Sequence, residues 1–177
     1  MSRLFIALPI PDAITDRVLP LQSGLSGAKF SPRENLHITL RFIGDAPHDL
    51  IDQLVLALAQ IEESSFELSL CGADFFGSLK PHSLHLKVAQ SLALVRLNEK
   101  CEDVCRGLGL EPETRNFIPH LTLAYLKNAE LAEVEGYKAI HTQFKSPFWR
   151  ADSFRLYSSK LGNGPSQYEI LAEFSLN

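Results

Sequence analysis

Two tetrapeptides hold the residues whose types and spacing could do chemistry: His37-Ile38-Thr39-Leu40 and His120-Leu121-Thr122-Leu123. Each is His-x-Thr-x inside an apolar stretch, about 36–43 for the first and 118–126 for the second. On an extended strand, residues i and i+2 point the same way. His37 and Thr39 therefore share one face, with Ile38 and Leu40 on the other, and His120 and Thr122 stand in the same way against Leu121 and Leu123. Two imidazoles and two hydroxyls suit phosphodiester cleavage. One imidazole can take a proton from an attacking water while the other gives one to the departing oxygen. The unperturbed histidine pKa of about 6.5 allows both roles near neutrality. Threonine hydroxyls can donate to the non-bridging phosphate oxygens, where charge builds. Two histidines from distant strands, without a carboxylate or cysteine beside them, are a poor metal site, so neither metal nor cofactor is expected.

One His-x-Thr arises often by chance, and its histidine is usually a surface residue. Two copies on strands, each closing a similar unit, are far harder to obtain by accident. The elements around them explain the likeness. Residues 3–8 alternate as a strand stopped by Pro9, and Pro11-Asp12 opens a helix expected to run to about Leu25. Strand 36–43 ends at Gly44-Asp45, and residues 48–62 have helical apolar spacing. Strand 66–71 follows, then a turn at Gly77 to Pro81. The second half repeats the plan with a strand at 84–88, a helix at about 91–107, a polar loop from Gly109 to Asn116 and strand 118–126. Strands near 150–158 and 167–175 finish the chain, joined through Gly162-Asn163-Gly164-Pro165. Both copies read strand–helix–loop–strand, with 33 positions from Leu4 to His37 and 36 from Leu84 to His120. The expectation is a single domain over 1–177 made of two pseudo-symmetric lobes facing each other across a cleft.

The bulk properties limit the partners. The 177 residues carry 17 basic and 21 acidic groups, net −4, which argues against a general nucleic-acid binder with a long basic footprint. Gripping one terminal phosphate needs only local positive charge. No apolar run approaches the roughly 20 residues of a membrane span, and the N-terminal stretch lacks the cleavage site of a signal peptide. The three cysteines, Cys71, Cys101 and Cys105, do not form an even disulfide framework. Cys101 and Cys105 read as small buried side chains sharing a helix face, which points to a reducing, cytoplasmic setting.

The paired motifs and their strand context resemble the 2H phosphoesterase superfamily, and within it the RNA 2′,3′-cyclic phosphodiesterases, historically called 2′-5′ RNA ligases. The likeness spans nearly the whole chain. It rests on RLFIALP at 3–9, on Asn35-Leu36-His37-Ile38-Thr39-Leu40-Arg41-Phe42-Ile43-Gly44, and on Phe117-Ile118-Pro119-His120-Leu121-Thr122-Leu123. Leu156-Tyr157-Ser158-Ser159, Gly164-Pro165 and Tyr168 resemble the family's C-terminal strand pair. The resemblance implies a bilobal α+β fold, with two antiparallel-rich sheets facing a central cleft and helices outside. It implies hydrolysis of a terminal 2′,3′-cyclic phosphate to a 2′-phosphate, with His37 as proton donor and His120 as proton acceptor. RNA 3′ ends or cyclic-phosphate nucleotides are the expected partners, met by a monomer without metal or membrane.

The chain departs from the family at one place. Many members have an arginine where Tyr125 stands. Simple strand parity puts Tyr125 opposite His120 and Thr122 unless the strand bulges, and puts Arg41 on the face of His37 and Thr39, where it could meet the phosphate. Arg115 is a weaker source of the same charge. His85 could stack on a base if its face lines the cleft, the alternative being a solvent-facing pair with Lys87. Trp149 reads as packing with terminal-base stacking as the alternative, and His48, His82 and His141 as surface residues. Small cyclic nucleotides as substrate, the reverse 2′-5′ joining reaction and non-catalytic binding of RNA ends are the competing readings.

Overall fold

The computed structural model describes residues 2–160 and 166–177, so the connection at Gly162 to Pro165 lies outside the described residues. The first unit is β1 (Ser2–Pro9), α1 (Asp12–Val18), β2 (Ala28–Phe30) and β3 (His37–Ala46), followed by α2 (His48–Leu58) and β4 (Phe66–Leu68). The second is β5 (Leu70–Phe76), β6 (Ser83–Val88), α3 (Leu92–Gly107) and β7 (His120–Leu126). The chain ends with α4 (Leu131–Ile140), β8 (Trp149–Ala151), β9 (Ser153–Lys160) and β10 (Gln167–Ser175). No helix among the described residues is long and apolar enough to cross a membrane.

Each expected repeat is a strand pair. β1 runs antiparallel to β3, and β6 antiparallel to β7. β9 and β10 extend the first pair, and β5 extends the second, giving the order β10-β9-β1-β3-β7-β6-β5. The fold is thus the expected mixed α/β bilobal arrangement. The two halves form one eight-stranded sheet rather than two separate ones, joined where β3 meets β7 at the single pairing Ile38↔Leu121, while β2 pairs with the far end of β7. β4 and β8 form a separate two-stranded ribbon.

Alternation along the strands sorts the layers. Leu4, Ile6 and Leu8 of β1 enter the main core with Ile38, Leu40, Leu84, Leu86, Leu121 and Leu123. Helices cover that face: Leu54 and Leu58 of α2, and Leu94, Leu97, Cys101 and Cys105 of α3, are fully buried in it. Phe5 and Ala7, the other parity of β1, belong to a separate small cluster with Tyr157. The cleft lies on that second face.

Several boundaries differ from the sequence reading. The helix from Asp12 stops at Val18 rather than near Leu25, and a short 3-10 turn, Leu19–Leu21, follows. Pro20 has no N–H to continue the α-helical ladder. The segment expected as one strand at 66–71 divides, since Phe66–Leu68 pairs with β8 while Leu70 onward pairs with β6. The helix α4 and the three-residue β2 were not foreseen. Only Val134 and Tyr137 of α4 are buried, too sparse a stripe to stand out as a period.

Candidate active site

The Ile38↔Leu121 pairing fixes how the two motifs meet. In antiparallel strands, stepping one residue each way sets His37 against Thr122 and Thr39 against His120. Ile38 and Leu121 are fully buried on the helical side, so the four polar residues flank the junction on the other. An antiparallel pair carries a local twofold axis, which relates one His-x-Thr to the other.

Both imidazoles are held alike. His37 Nδ1 bonds the carbonyl of Asn35 at 2.7 Å, and His120 Nδ1 bonds the carbonyl of Ile118 at 2.7 Å. A carbonyl can only accept, so each Nδ1 carries the proton and each neutral ring has a bare Nε2. His37 Nε2 accepts from the Thr39 hydroxyl at 3.0 Å. Asn35 is itself fixed, its side-chain amide donating to the Ser166 carbonyl at 2.7 Å. Burial pushes His37 down to about 4, with nearby His120 adding in the same direction and the Asn35 carbonyl opposing. Burial also lowers His120, against its bond to Ile118. Burial thus favours the uncharged form of both rings at neutral pH.

The surroundings of the two rings differ. His37 lies 4.9 Å from the Phe5 ring and 5.4 Å from Tyr168, edge to face, and Tyr157 stacks on Phe5 at 5.0 Å and lies 6.4 Å from His37. His120 lies 5.0 Å from Phe76, edge to face, and 5.1 Å from His85. Phe76 sits just before the Gly77 turn, where φ is +111° and a Cβ would run into the Lys80 carbonyl.

Strand parity fails just past both motifs. Ala7 pairs with Thr39 and Ile6 with Arg41, so Leu40 is an extra residue; His85 pairs with Thr122 and Leu84 with Ala124, so Leu123 is another. These are β-bulges, and each turns the next residue over. Leu40 and Arg41 are consecutive buried residues, as are Leu123 and Ala124, and Phe42 and Tyr125 come out exposed on the cleft face. Phe42 pairs with Phe5, and Tyr125 with Ser83.

This corrects the expectation for Arg41. It is 8% exposed and faces the helical layer, paired with Glu102 of α3 and donating to the Phe42 and Glu111 carbonyls. The guanidinium is held by Glu102 and the Glu111 carbonyl on the helical side, so Arg41 does not supply charge to a phosphate. Arg115 is exposed but pairs with Glu113 at 2.8 Å. Tyr125, by contrast, stands on the cleft face. His85 also departs from both alternatives, since it is 3% exposed and already stacked on Phe76 at 4.3 Å, leaving no free face for a base. Lys87 alone of that pair is exposed. Trp149 is buried in the core. Two lysines occupy positions in register with the site: Lys29 of β2 opposite Tyr125, which the sequence did not single out, and Lys87 of β6 opposite His120, which it read only as a solvent-facing neighbour of His85.

Known proteins share both sequence and fold. The family model of the 2′-5′ RNA ligase superfamily matches residues 10–163. A Bacillus subtilis RNA 2′,3′-cyclic phosphodiesterase is 32% identical over 98% of this chain and 96% of its own. A Thermus thermophilus crystal structure superposes with a TM-score of 0.83 at 25% identity, covering 98% of this chain and 97% of that one. The crystal structure of Escherichia coli LigT complexed with 3′-AMP superposes with a TM-score of 0.82 at 24% identity, over 99% and 98% of the two chains. The chain belongs to the 2′-5′ RNA ligase superfamily of two-histidine phosphoesterases.

Proposed function

We propose that the protein opens the 2′,3′-cyclic phosphate at RNA 3′ ends to a 2′-phosphate, with no metal, using His120 as proton acceptor and His37 as proton donor. The observation that carries this reading is the pair of matched half-sites. Each has an imidazole fixed through Nδ1 to the carbonyl two residues earlier, leaving Nε2 for proton transfer, and in the first half-site that Nε2 meets the Thr39 hydroxyl. The Bacillus subtilis relative bears the name of this activity, and the Escherichia coli neighbour was crystallised with a 3′-nucleotide.

The steps follow from the ring states. His120 Nε2 takes a proton from water as the water oxygen bonds to phosphorus. The bond from phosphorus to the ribose O3′ breaks, and His37 Nε2–H protonates that oxygen. His37 must hold this proton in the complex although burial by itself favours the neutral ring. The negative charge of the cyclic phosphate acts against desolvation and draws the proton on. Protonation of Nε2 also releases the Thr39 hydroxyl to donate to the phosphate. Which ring gives and which takes rests on family resemblance, because the twofold arrangement alone leaves them equivalent.

The test is turnover in EDTA of an oligonucleotide ending in a 2′,3′-cyclic phosphate. The expected product has gained one water and carries a 2′-phosphate. Persistence of the cyclic end in EDTA, with turnover only on adding a divalent ion, would overturn the metal-free mechanism.

A further inference from the structure

His85 stands on β6 directly across from Thr122, on the cleft face. Its ring is stacked on Phe76 at 4.3 Å and tilted against His120 at 5.1 Å. Its Nδ1 is buried and has no hydrogen-bond partner among the described residues. An orphan of this kind is destabilising, and a phenylalanine would keep the stack without it. A destabilising polar group retained beside a reacting pair points to work at that site.

The surroundings also set its proton. A buried N–H with no acceptor is rarer and worse than a buried lone pair, which assigns the hydrogen to Nε2. Burial pushes the ring down to about 4, helped by His120, Lys87 and Lys138 and opposed by Asp74. Asp74 faces His85 from β5 but is bonded to Lys138 at 2.8 Å. The ring is thus a fixed neutral donor wherever a histidine pair can work. Neither arginine singled out in the sequence supplies such a donor, since Arg41 is turned away and Arg115 is paired with Glu113.

We propose that His85 is a third hydrogen-bond donor of the active site, its Nε2–H serving the non-bridging phosphate oxygen beside Thr122. The inference rests on reading the cleft as a cyclic phosphodiester site. A wild type that leaves the cyclic end intact would fail that reading, whereas the comparison of variants below fails this inference alone.

Three substitutions separate the atoms. His85→Gln keeps an N–H near the position of Nε2, His85→Asn keeps one near Nδ1, and His85→Phe keeps only the ring. The expected kcat/KM falls about 10- to 100-fold for His85→Phe and His85→Asn and only a few-fold for His85→Gln. The Tm of His85→Phe should equal or exceed that of the wild type. Wild-type kcat/KM in His85→Phe, or equal losses in all three variants, would overturn the proposal. The unmutated protein gives a second readout that does not depend on variants folding. On titration with inorganic phosphate, the His85 Nε2–H proton resonance should move downfield, and a resonance that stays fixed at phosphate saturation would overturn the assignment.

Discussion

Leu40 and Leu123 are equivalent residues, each the extra member of a β-bulge one position after a motif threonine. The two bulges do the same work. They send Arg41 and Ala124 into the helical layer and bring Phe42 and Tyr125 out on the cleft face. The duplication therefore extends past His-x-Thr to the backbone irregularity that decides which later side chains can meet a ligand.

Tyr125 is 57% exposed at a position facing the cleft, so its replacement should alter binding and not folding. Tyr125→Arg is expected to tighten sulfate binding about 5- to 10-fold at low salt, as one exposed charge-assisted hydrogen bond would, with Tm unchanged. Isothermal titration against sulfate checks this. Unchanged affinity would mean that the bulge does not aim this position at the anion.

Arg41 tests the same geometry from the opposite side. Its pair with Glu102 is largely buried, and Glu102 also accepts from the Glu113 backbone N–H at 3.0 Å, tying the loop before His120 to β3. Glu102→Gln leaves a buried guanidinium without its counter-charge, and a loss of about 3 kcal/mol in unfolding free energy is expected. KM for the cyclic substrate should change little in Arg41→Met, because Arg41 points away from the cleft. A large rise in KM with unchanged stability would restore the phosphate role.

The depressed histidines make stability depend on pH. His37 and His85 are lowered to about 4 from 6.5, and His120 is lowered as well. Between those limits the unfolded chain binds more protons than the folded one. Stability is therefore full above about pH 6.5 and falls as pH drops toward 4. For His85 alone the loss is about 3 kcal/mol across that window. Glu63, Asp74 and Glu113 are also lowered, but as carboxylates their contribution is lost at more acid pH. Denaturant midpoints from pH 7 to 4.5 should fall in the wild type and fall less in His85→Phe. Parallel curves would contradict the buried neutral state of His85.

Anion binding should run the other way. A bound anion raises His37 and His120, so it binds the protonated rings better. Sulfate keeps a fixed charge over pH 5–7, and its affinity for the wild type should rise as pH falls through that range. A flat profile would show that the anion does not sit against the imidazoles.

The sequence made His37, Thr39, His120 and Thr122 legible because a two-residue alternation is local, and each pair sits ahead of its bulge. Arg41 and Tyr125 were misplaced because a bulge is a property of two paired strands, invisible along one of them. His85 was misjudged for a similar reason. Its burial comes from Phe76 on the neighbouring strand and His120 on the next. The early end of α1 was readable from Pro20, but apolar spacing beyond it concealed the stop. The hold on both imidazoles by carbonyls at i−2 was not legible, since backbone acceptors leave no mark in side-chain identity.

The central claim is that two half-sites act as one acid/base unit. It is tested most directly by single-turnover opening of a 2′,3′-cyclic phosphate end by the wild type, His37→Ala, His120→Ala and the double variant, all in EDTA. Each single substitution should lower the rate about 10²- to 10⁴-fold, and the double should be little worse than either, because an acid and a base that work together fail together. A wild-type rate in either single variant would contradict the paired mechanism.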